Sequence, residues 1–301
     1  MRESLRQAIT RTLTIEFCLP YEAGGLDKTC LSTIDDTCLR GTSSEDIARI
    51  IYNGLVEFAV NEYKIDYENI DREQRKALSL SIRYNPEANE DTRIKYGFYG
   101  EVLLDLVLRS YFGTDVLLAR GYLYSPIENS EVKGFDAFHL TEKDGQIDLW
   151  LGEAKFYQNY KAAISSVLKK IEFSLSDSYV NRNLLALIQH EGDFTNRPPQ
   201  VLSLFEKWKN DPDINLAEEI REHCVRITYP VFIIYERMVR DSYIKSIKKC
   251  IEHIAQVCTN ENIHLSSSFD YRICFIFLPI SEVKTTKKKV LEWIESKEPL
   301  I

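Results

Sequence analysis

An Asp-Gly dipeptide between two strand-like segments is the feature that most constrains how this chain folds. It lies in "TEKDGQ", and Asp-Gly flanked by strand-forming residues is a strong signal for a two-residue hairpin turn. If Asp144 and Gly145 form the turn, the antiparallel register places Asp136 directly opposite Glu153. The sequence therefore predicts two facing carboxylates near one end of a hairpin.

Lys155 lies on the same strand face as Glu153, because side chains two positions apart share one face of a strand. Its predicted neighbour on the other strand is Gly134. Facing carboxylates repel each other by about 0.2–1 kcal/mol on an exposed sheet and by more when buried. A hard divalent ion such as Mg²⁺ prefers carboxylate and water oxygens, and a nearby lysine can hold a scissile phosphate or an attacking hydroxide. The cluster has the outline of a phosphodiester-hydrolysing site, although an ordinary cross-strand ion-pair network fits the same spacing.

The periodicity around the hairpin predicts an α/β (α+β) protein whose sheet is sandwiched by helices. A helix is predicted first, then three consecutive strands and a second helix, and mixed helices and strands follow. In order, the predicted elements are a helix at 96–112, strands at 115–125, 133–142 and 146–157, a helix at about 159–175, a strand at 225–236, a helix at about 240–258, a strand at 271–280 and a helix at about 281–296.

The polar segment "YNPEANEDTR" is the best candidate for a domain boundary, because Pro86 and its polar neighbours interrupt two helical patterns. We therefore divide the chain into an N-terminal region, residues 1–85, and a larger domain, residues 86–301. The N-terminal region contains a predicted helix whose apolar residues recur on one face between Ile47 and Phe58. It is a candidate surface for contact with a partner.

The composition restricts the possible functions. A net charge of -8 gives the whole chain no attraction for nucleic acid, so DNA contact requires a local basic patch or a partner. The seven scattered cysteines form no zinc-binding pattern and indicate reduced thiols in a cytoplasmic protein. No apolar run is long enough to cross a membrane, and no Walker-type phosphate loop is present.

The segments "GFDAF" and "GEAK" resemble the core motif of the PD-(D/E)XK nuclease superfamily. The resemblance implies that Asp136 and Glu153 bind a divalent metal, Mg²⁺ or Mn²⁺, and that Lys155 assists the nucleophilic water. It also implies a mixed central sheet flanked by helices, with the first 85 residues as an N-terminal extension.

A narrower resemblance covers most of the chain. "KGFDAFHL" followed by "LWLGEAKFYQNYKAAISSVL" is similar to HamA, the nuclease family of the bacterial Hachiman anti-phage system. That family is encoded beside a HamB helicase. The resemblance implies DNA as the substrate and a HamB-like helicase as the partner.

Three further candidates flank the motif. Glu101 lies where these nucleases often carry an additional acidic metal ligand, and Gly97 and Gly100 would let its helix approach the sheet closely. The competing interpretation is that Glu101, Asp105 and Arg109, spaced four apart, form a solvated helix face. Gln158 and Lys161 are candidate substrate contacts. Residues in such positions more often only cap or solvate a helix.

Other polar residues have simpler explanations. The strand period places His139 on the face opposite Asp136, which predicts a packed or surface histidine. Two basic runs are predicted to be solvated helix faces, with phosphate contact as the alternative. These runs are Lys284, Lys287 and Lys288, and then Arg237, Arg240, Lys245, Lys248 and Lys249.

These features favour a metal-dependent deoxyribonuclease that acts as effector of a bacterial defence complex and is held inactive by a helicase. The alternative is a catalytically silent, nuclease-like subunit that binds DNA or scaffolds the helicase, but the intact Glu153 and Lys155 argue against it. A stand-alone repair or restriction nuclease would need a recognition domain or a strongly basic surface, and the sequence shows neither.

Overall fold

A computed structural model describes residues 1–128, 130–190, 199–211 and 214–301. Within these residues, seven strands form one sheet and two short strands form a separate ribbon. The strands are β1 Leu13–Leu19, β2 Asp36–Gly41, β3 Asp115–Val116, β4 Tyr124–Ser125, β5 Ser130–Glu131, β6 Ala137–Lys143, β7 Gln146–Tyr157, β8 Arg226–Glu236 and β9 Tyr271–Ile280. The seven-stranded sheet has the order β1-β2-β9-β8-β7-β6-β3.

The sheet is mixed, as predicted. Strands β2, β9, β8 and β7 are parallel to one another, and β1, β6 and β3 pair antiparallel at the two sides. The central strands β8 and β9 are almost wholly buried, which explains their continuous apolar sequences.

Helices cover both faces of the sheet. The helices are α1 Glu3–Thr12, α2 Ser44–Ala59, α3 Ile70–Leu80, α4 Glu90–Arg93, α5 Phe98–Tyr111, α6 Tyr160–Ser174, α7 Asp177–Ile188, α8 Pro199–Asn210, α9 Leu216–Glu222, α10 Tyr243–Glu261 and α11 Val283–Ser296. One apolar core joins α1, α2, α5 and α11 to the sheet, and a second joins α6, α7 and α10 to its other face. The predicted architecture of a mixed sheet flanked by helices is confirmed. No helix in the described ranges has the length and apolar character needed to cross a membrane.

Residues 1–85 contribute to the same sheet as the rest of the chain. Strand β2 pairs in parallel with β9, and α2 packs against α5 and α11. The boundary drawn near Pro86 therefore separates two parts of the sequence that share one sheet and one apolar core.

The predicted strand at 115–125 is wrong over most of its length. Only β3 and β4 pair as strands there, and a 3-10 helix, Arg120–Leu123, lies between them. A strand sends alternate side chains to opposite faces, whereas Leu117, Leu118 and Leu123 all enter the same core. This packing favours a compact turn, which an apolar run alone does not reveal.

Helix α5 lies close against β7. A Cβ atom added at Gly100 would lie 3.5 Å from Cβ of Ala154 and 3.4 Å from Cβ of Phe156, so the helix surface touches the strand there. The expected close approach is confirmed at Gly100. At Gly97 an added Cβ would instead meet the side chain of Glu101 in its own helix.

Candidate functional site

The hairpin formed by β6 and β7 positions the acidic residues. Asp144 and Gly145 both have positive φ, 54° and 80°, as the two central residues of a type I′ turn require. The predicted register is confirmed from the turn as far as the pair Ala137 and Gly152. The hairpin was therefore predictable from its local sequence.

Asp136 immediately precedes β6 and is anchored to β7. Its backbone N–H donates to the carbonyl of Gly152 at 2.8 Å, and its Oδ2 accepts from the N–H of Ala154 at 2.9 Å. This second bond holds the carboxylate beside Glu153, on the sheet face that α6 and α7 cover. The two carboxylates line one cleft.

The carboxylate of Glu153 is unfavourably placed for a negative charge. Burial and the nearby charge of Asp136 raise the pKa of Glu153 to about 7, although Lys155 opposes this shift. Lys155 Nζ donates to Glu153 and also, at 3.2 Å, to the carbonyl of Ala154. Burial alone would lower the pKa of Lys155, but the charges of Asp136 and Glu153 raise it above its ordinary value. The lysine therefore remains a cation beside two acidic groups.

Glu101 lines the same cleft from α5. It is buried, and its Oε2 lies 3.6 Å from Nε of Arg120, which is also buried. Asp105 and Arg109 are buried as well, so the interpretation of these three residues as a solvated helix face is wrong. The i,i+4 pairing itself is present, with Asp105 Oδ2 3.2 Å from Arg109 Nε.

His139 is a packed residue, which is one of the two outcomes predicted for it. It is 2% exposed, and its Nε2 lies 3.0 Å from Oδ1 of Asp105. Its Nδ1 forms a second hydrogen bond with Thr114. The histidine belongs to the core between α5 and β6 and not to the cleft.

Gln158 and Lys161 do not reach the cleft. Both are exposed, at the carboxyl end of β7 and in the first turn of α6. Glu153 lies four residues before the end of β7, roughly 13 Å back along the strand. Because α6 returns over the sheet at about 1.5 Å per residue, it needs about nine residues to cover that distance. The helix therefore passes Glu153 near Lys169 and Lys170, and these two residues line the cleft.

Positive charge surrounds the acidic residues in this cleft, whose volume is about 900 Å³. Six cationic side chains line it together with Glu101, Asp136 and Glu153. They are Arg83, Arg120, Lys133, Lys169, Lys170 and Arg182, of which all but Arg120 are exposed. This is the local basic patch that a chain with a net charge of -8 needs for contact with phosphates. The sequence analysis missed it because the cations come from distant segments.

Most residues of the two basic runs in the C-terminal part of the sequence form contacts within the chain, and Arg240 and Lys248 are exposed. Lys284 and Lys288 form ion pairs with Asp91 and Glu90, consistent with a solvated face. Lys287 contradicts that interpretation because it is buried and its Nζ donates to the carbonyl of Phe156 at 2.9 Å. In the second run, three residues contact Asp241: Lys245 and Lys249 pair with its carboxylate, and Arg237 donates to its carbonyl.

The donor set at Asp136 and Glu153 fits a hard divalent ion. Both donors are carboxylates, and a cation between them would offset the repulsion that helps raise the pKa of Glu153. In the part of the chain that the structure describes, no three His, Cys, Asp or Glu side chains gather closely enough to hold a metal. Water and substrate phosphate would therefore supply the remaining ligands, as is usual for Mg²⁺.

The fold defines a mixed α/β protein that is compatible with an α+β nuclease-like core. The HamA family model matches residues 11–294, and the chain belongs to this family. A search of curated proteins finds no match. Family membership makes the chain a Hachiman defence-related protein.

Proposed function

We propose that the chain is a metal-dependent deoxyribonuclease and the effector of a bacterial anti-phage defence complex. The observation that carries this proposal is the placement of Asp136, Glu153 and Lys155 together beside the cationic cleft. Family membership supports the same role in defence. A silent scaffold would gain nothing from two partly buried carboxylates that repel each other.

Each residue of the cluster has a distinct role in this proposal. Asp136 and Glu153 hold Mg²⁺ or Mn²⁺, and Glu101, which lines the same cleft beside Arg120, is not required as a direct ligand. The ion, when bound, activates water and offsets charge on the scissile phosphate. Lys155, kept cationic by its acidic neighbours, holds the phosphate or the attacking hydroxide in place. The cations that line the cleft bind the phosphates on either side.

Metal binding should stabilise the folded protein through Glu153. We expect millimolar Mn²⁺ or Mg²⁺ to raise the melting temperature of the wild-type chain, because a ligand that binds only the folded state stabilises it. Glu153→Gln should abolish this shift, whereas Glu142→Gln, at an exposed carboxylate of the same hairpin, should retain it. Differential scanning fluorimetry with and without a chelator measures both. An equal shift in all three proteins would place the metal elsewhere.

The nuclease also needs a restraint, because it would share the cytoplasm with the host chromosome. We propose that a HamB-like helicase holds it inactive and that ATP-driven movement on DNA releases it. Residues 1–85 offer a surface for this contact, since several large apolar side chains there are exposed. These are Ile15, Tyr63, Tyr67 and Leu80.

Co-expression tests the restraint. The chain and the helicase encoded beside it should elute together in size-exclusion chromatography, and the complex should cleave DNA more slowly than the free chain until ATP is added. Leu80→Glu, at a side chain that is 58% exposed, should weaken co-elution without unfolding the chain. Separate elution, with no difference in activity between the free chain and the mixture, would contradict the restraint.

A further inference from the structure

An aromatic pair, of which one ring is exposed and the other partly buried, lines the cleft that holds the acidic residues. Phe173, at the end of α6, is 53% exposed, and its ring centroid lies 4.6 Å from that of Tyr179 in α7. The guanidinium carbon of Arg182 lies 5.8 Å from the first ring centroid and 5.9 Å from the second. A single exposed Phe is ordinary, but an aromatic pair with an arginine over both rings inside a charged cleft is a specific arrangement.

The aromatic pair lies within electrostatic reach of the carboxylates. Burial raises the pKa of Tyr179 most, and the charges of Glu153 and Asp136 raise it further, against a hydrogen bond with Asn183. Tyr179 also packs edge-on against Phe135, which immediately precedes Asp136, with centroids 5.3 Å apart. A nucleotide resting on Phe173 would therefore lie in the same cleft as Asp136 and Glu153.

Two exposed lysines stand beside the aromatic pair. Lys169 and Lys170 lie on the last turns of α6, just before Phe173, and both line the cleft. Among the residues that the structure describes, neither forms an ion pair with a carboxylate. Their charges remain available for phosphate groups.

Cationic side chains bind the phosphates of any nucleic acid, whereas the aromatic pair distinguishes an unpaired strand from a duplex. In a duplex the base faces are hidden in the stack, and only phosphates, sugars and base edges are accessible. An unpaired strand exposes its base faces, which stack on aromatic rings and on arginine while the backbone follows a positively charged groove. The cleft combines both features.

We infer that the cleft binds an unpaired DNA strand, with one base stacked on Phe173 beneath Arg182 and the adjacent phosphates at Lys169 and Lys170. This inference rests on the proposed function for its choice of DNA over RNA. It assigns the substrate class as single-stranded or locally melted DNA. Intact duplex DNA has no base face to offer Phe173 and would bind through its phosphates alone.

Binding is tested with the full-length Glu153→Gln chain, in a chelator, so that cleavage does not interfere. Fluorescence anisotropy would compare a fluorescein-labelled oligo-dT strand, the same strand in a duplex and an oligo-rU strand. Phe173→Ala should weaken oligo-dT binding by about 10-fold or more and change duplex binding by less than about twofold. Phe173→Trp should restore binding, because it keeps an aromatic face.

Matched controls separate stacking from general effects. Tyr63, also 53% exposed and beneath a cation, Lys64, lines a different cavity, so Tyr63→Ala should leave binding unchanged. The double variant Lys169→Ala, Lys170→Ala should weaken oligo-dT binding. It should also reduce the slope of the logarithm of the binding constant against the logarithm of the salt concentration by about 1.4. Helix α10 carries another set of basic residues. The double variant Lys245→Ala, Lys248→Ala on that helix should leave oligo-dT binding unchanged.

The outcomes distinguish the inference from the proposed function. Equal binding of strand and duplex, unchanged by Phe173→Ala, overturns the inference, and wild-type cleavage of duplex DNA with Mg²⁺ would still support the nuclease. Strand binding that depends on Phe173, with no cleavage under any metal, supports the inference about the ligand and overturns the nuclease. Tighter binding of oligo-rU than of oligo-dT overturns the choice of DNA.

Discussion

Glu153→Gln and Lys155→Ala are each expected to reduce DNA cleavage by at least about 100-fold while the protein stays folded. Gln keeps the shape of the side chain but removes the charge that is proposed to hold a divalent ion beside Asp136. Ala removes the ammonium group that hydrogen-bonds to Glu153 and is proposed to position the reacting groups. Plasmid cleavage in Mg²⁺, followed on gels, measures the loss.

The same Glu153→Gln variant should be at least as stable as the wild type. The pKa of Glu153 rises from its ordinary value of 4.5 to about 7 in the folded protein, so the folded state retains a proton that the unfolded state loses. The contribution of Glu153 therefore makes wild-type stability fall as pH rises from about 4.5 to about 7. The variant should lack this decline in the absence of metal. Melting temperatures measured between pH 4 and pH 8 test the sign.

Glu142→Gln is the matched control for activity, because Glu142 is an exposed carboxylate on the same hairpin. It should cleave DNA at the wild-type rate. Wild-type cleavage by Glu153→Gln would show that the activity resides elsewhere, in another part of the chain or in a contaminant. Loss of activity in both variants would point to a general effect of charge on DNA binding.

Asp105→Ala should destabilise the folded protein by about 3–5 kcal/mol, the usual cost of removing one partner from a buried ion pair. Asp105 is 4% exposed, forms an ion pair with Arg109 and accepts a hydrogen bond from His139, and both partners are also buried. Burial alone would raise the pKa of Asp105, but the Arg109 charge and the His139 hydrogen bond hold it below its usual value. Without Asp105, the guanidinium of Arg109 loses a buried counter-ion. Urea unfolding of both proteins at pH 7 measures the difference.

Glu16→Ala provides the comparison for this effect. Glu16 also pairs with an arginine, with its Oε1 2.6 Å from Nη2 of Arg40, but both side chains are substantially exposed. Its loss should cost less than about 1 kcal/mol because water already solvates both charges. If Asp105→Ala also lowers the free energy of unfolding by less than about 1 kcal/mol, the contacts of Asp105 with Arg109 and His139 are not important for stability.

The pH dependence of the Asp105 contribution has the opposite sign to that of Glu153. Since the folded-state pKa of Asp105 is lowered, its stabilisation is present above the ordinary aspartate pKa. It is lost as pH falls through the lowered value. Wild-type and Asp105→Ala proteins should therefore become more similar in stability toward acidic pH.

The hairpin and its acidic residues were predictable because local sequence determines them. Asp144 and Gly145 adopt the positive φ values of the turn, and the two-residue period of a strand then fixes the face of every side chain on β6 and β7. Helices such as α2 and α5 were predictable for the same reason, since their apolar period is contained within the segment. The hairpin register and the strand period are therefore enough to bring Asp136, Glu153 and Lys155 together, without any contact from distant segments.

Tertiary structure alone decided the surroundings of that cluster. Charges spaced four apart on α5 are equally compatible with water and with buried partners, and only the folded chain places Arg120 beside Glu101 and His139 beside Asp105. Lys170 and Arg182 reach the cleft because α6 folds back over β7 and α7 follows it. The pairing of β2 with β9 joins residues more than two hundred positions apart. Such contacts depend on which distant segments pack together, and a local period contains no information about distant segments.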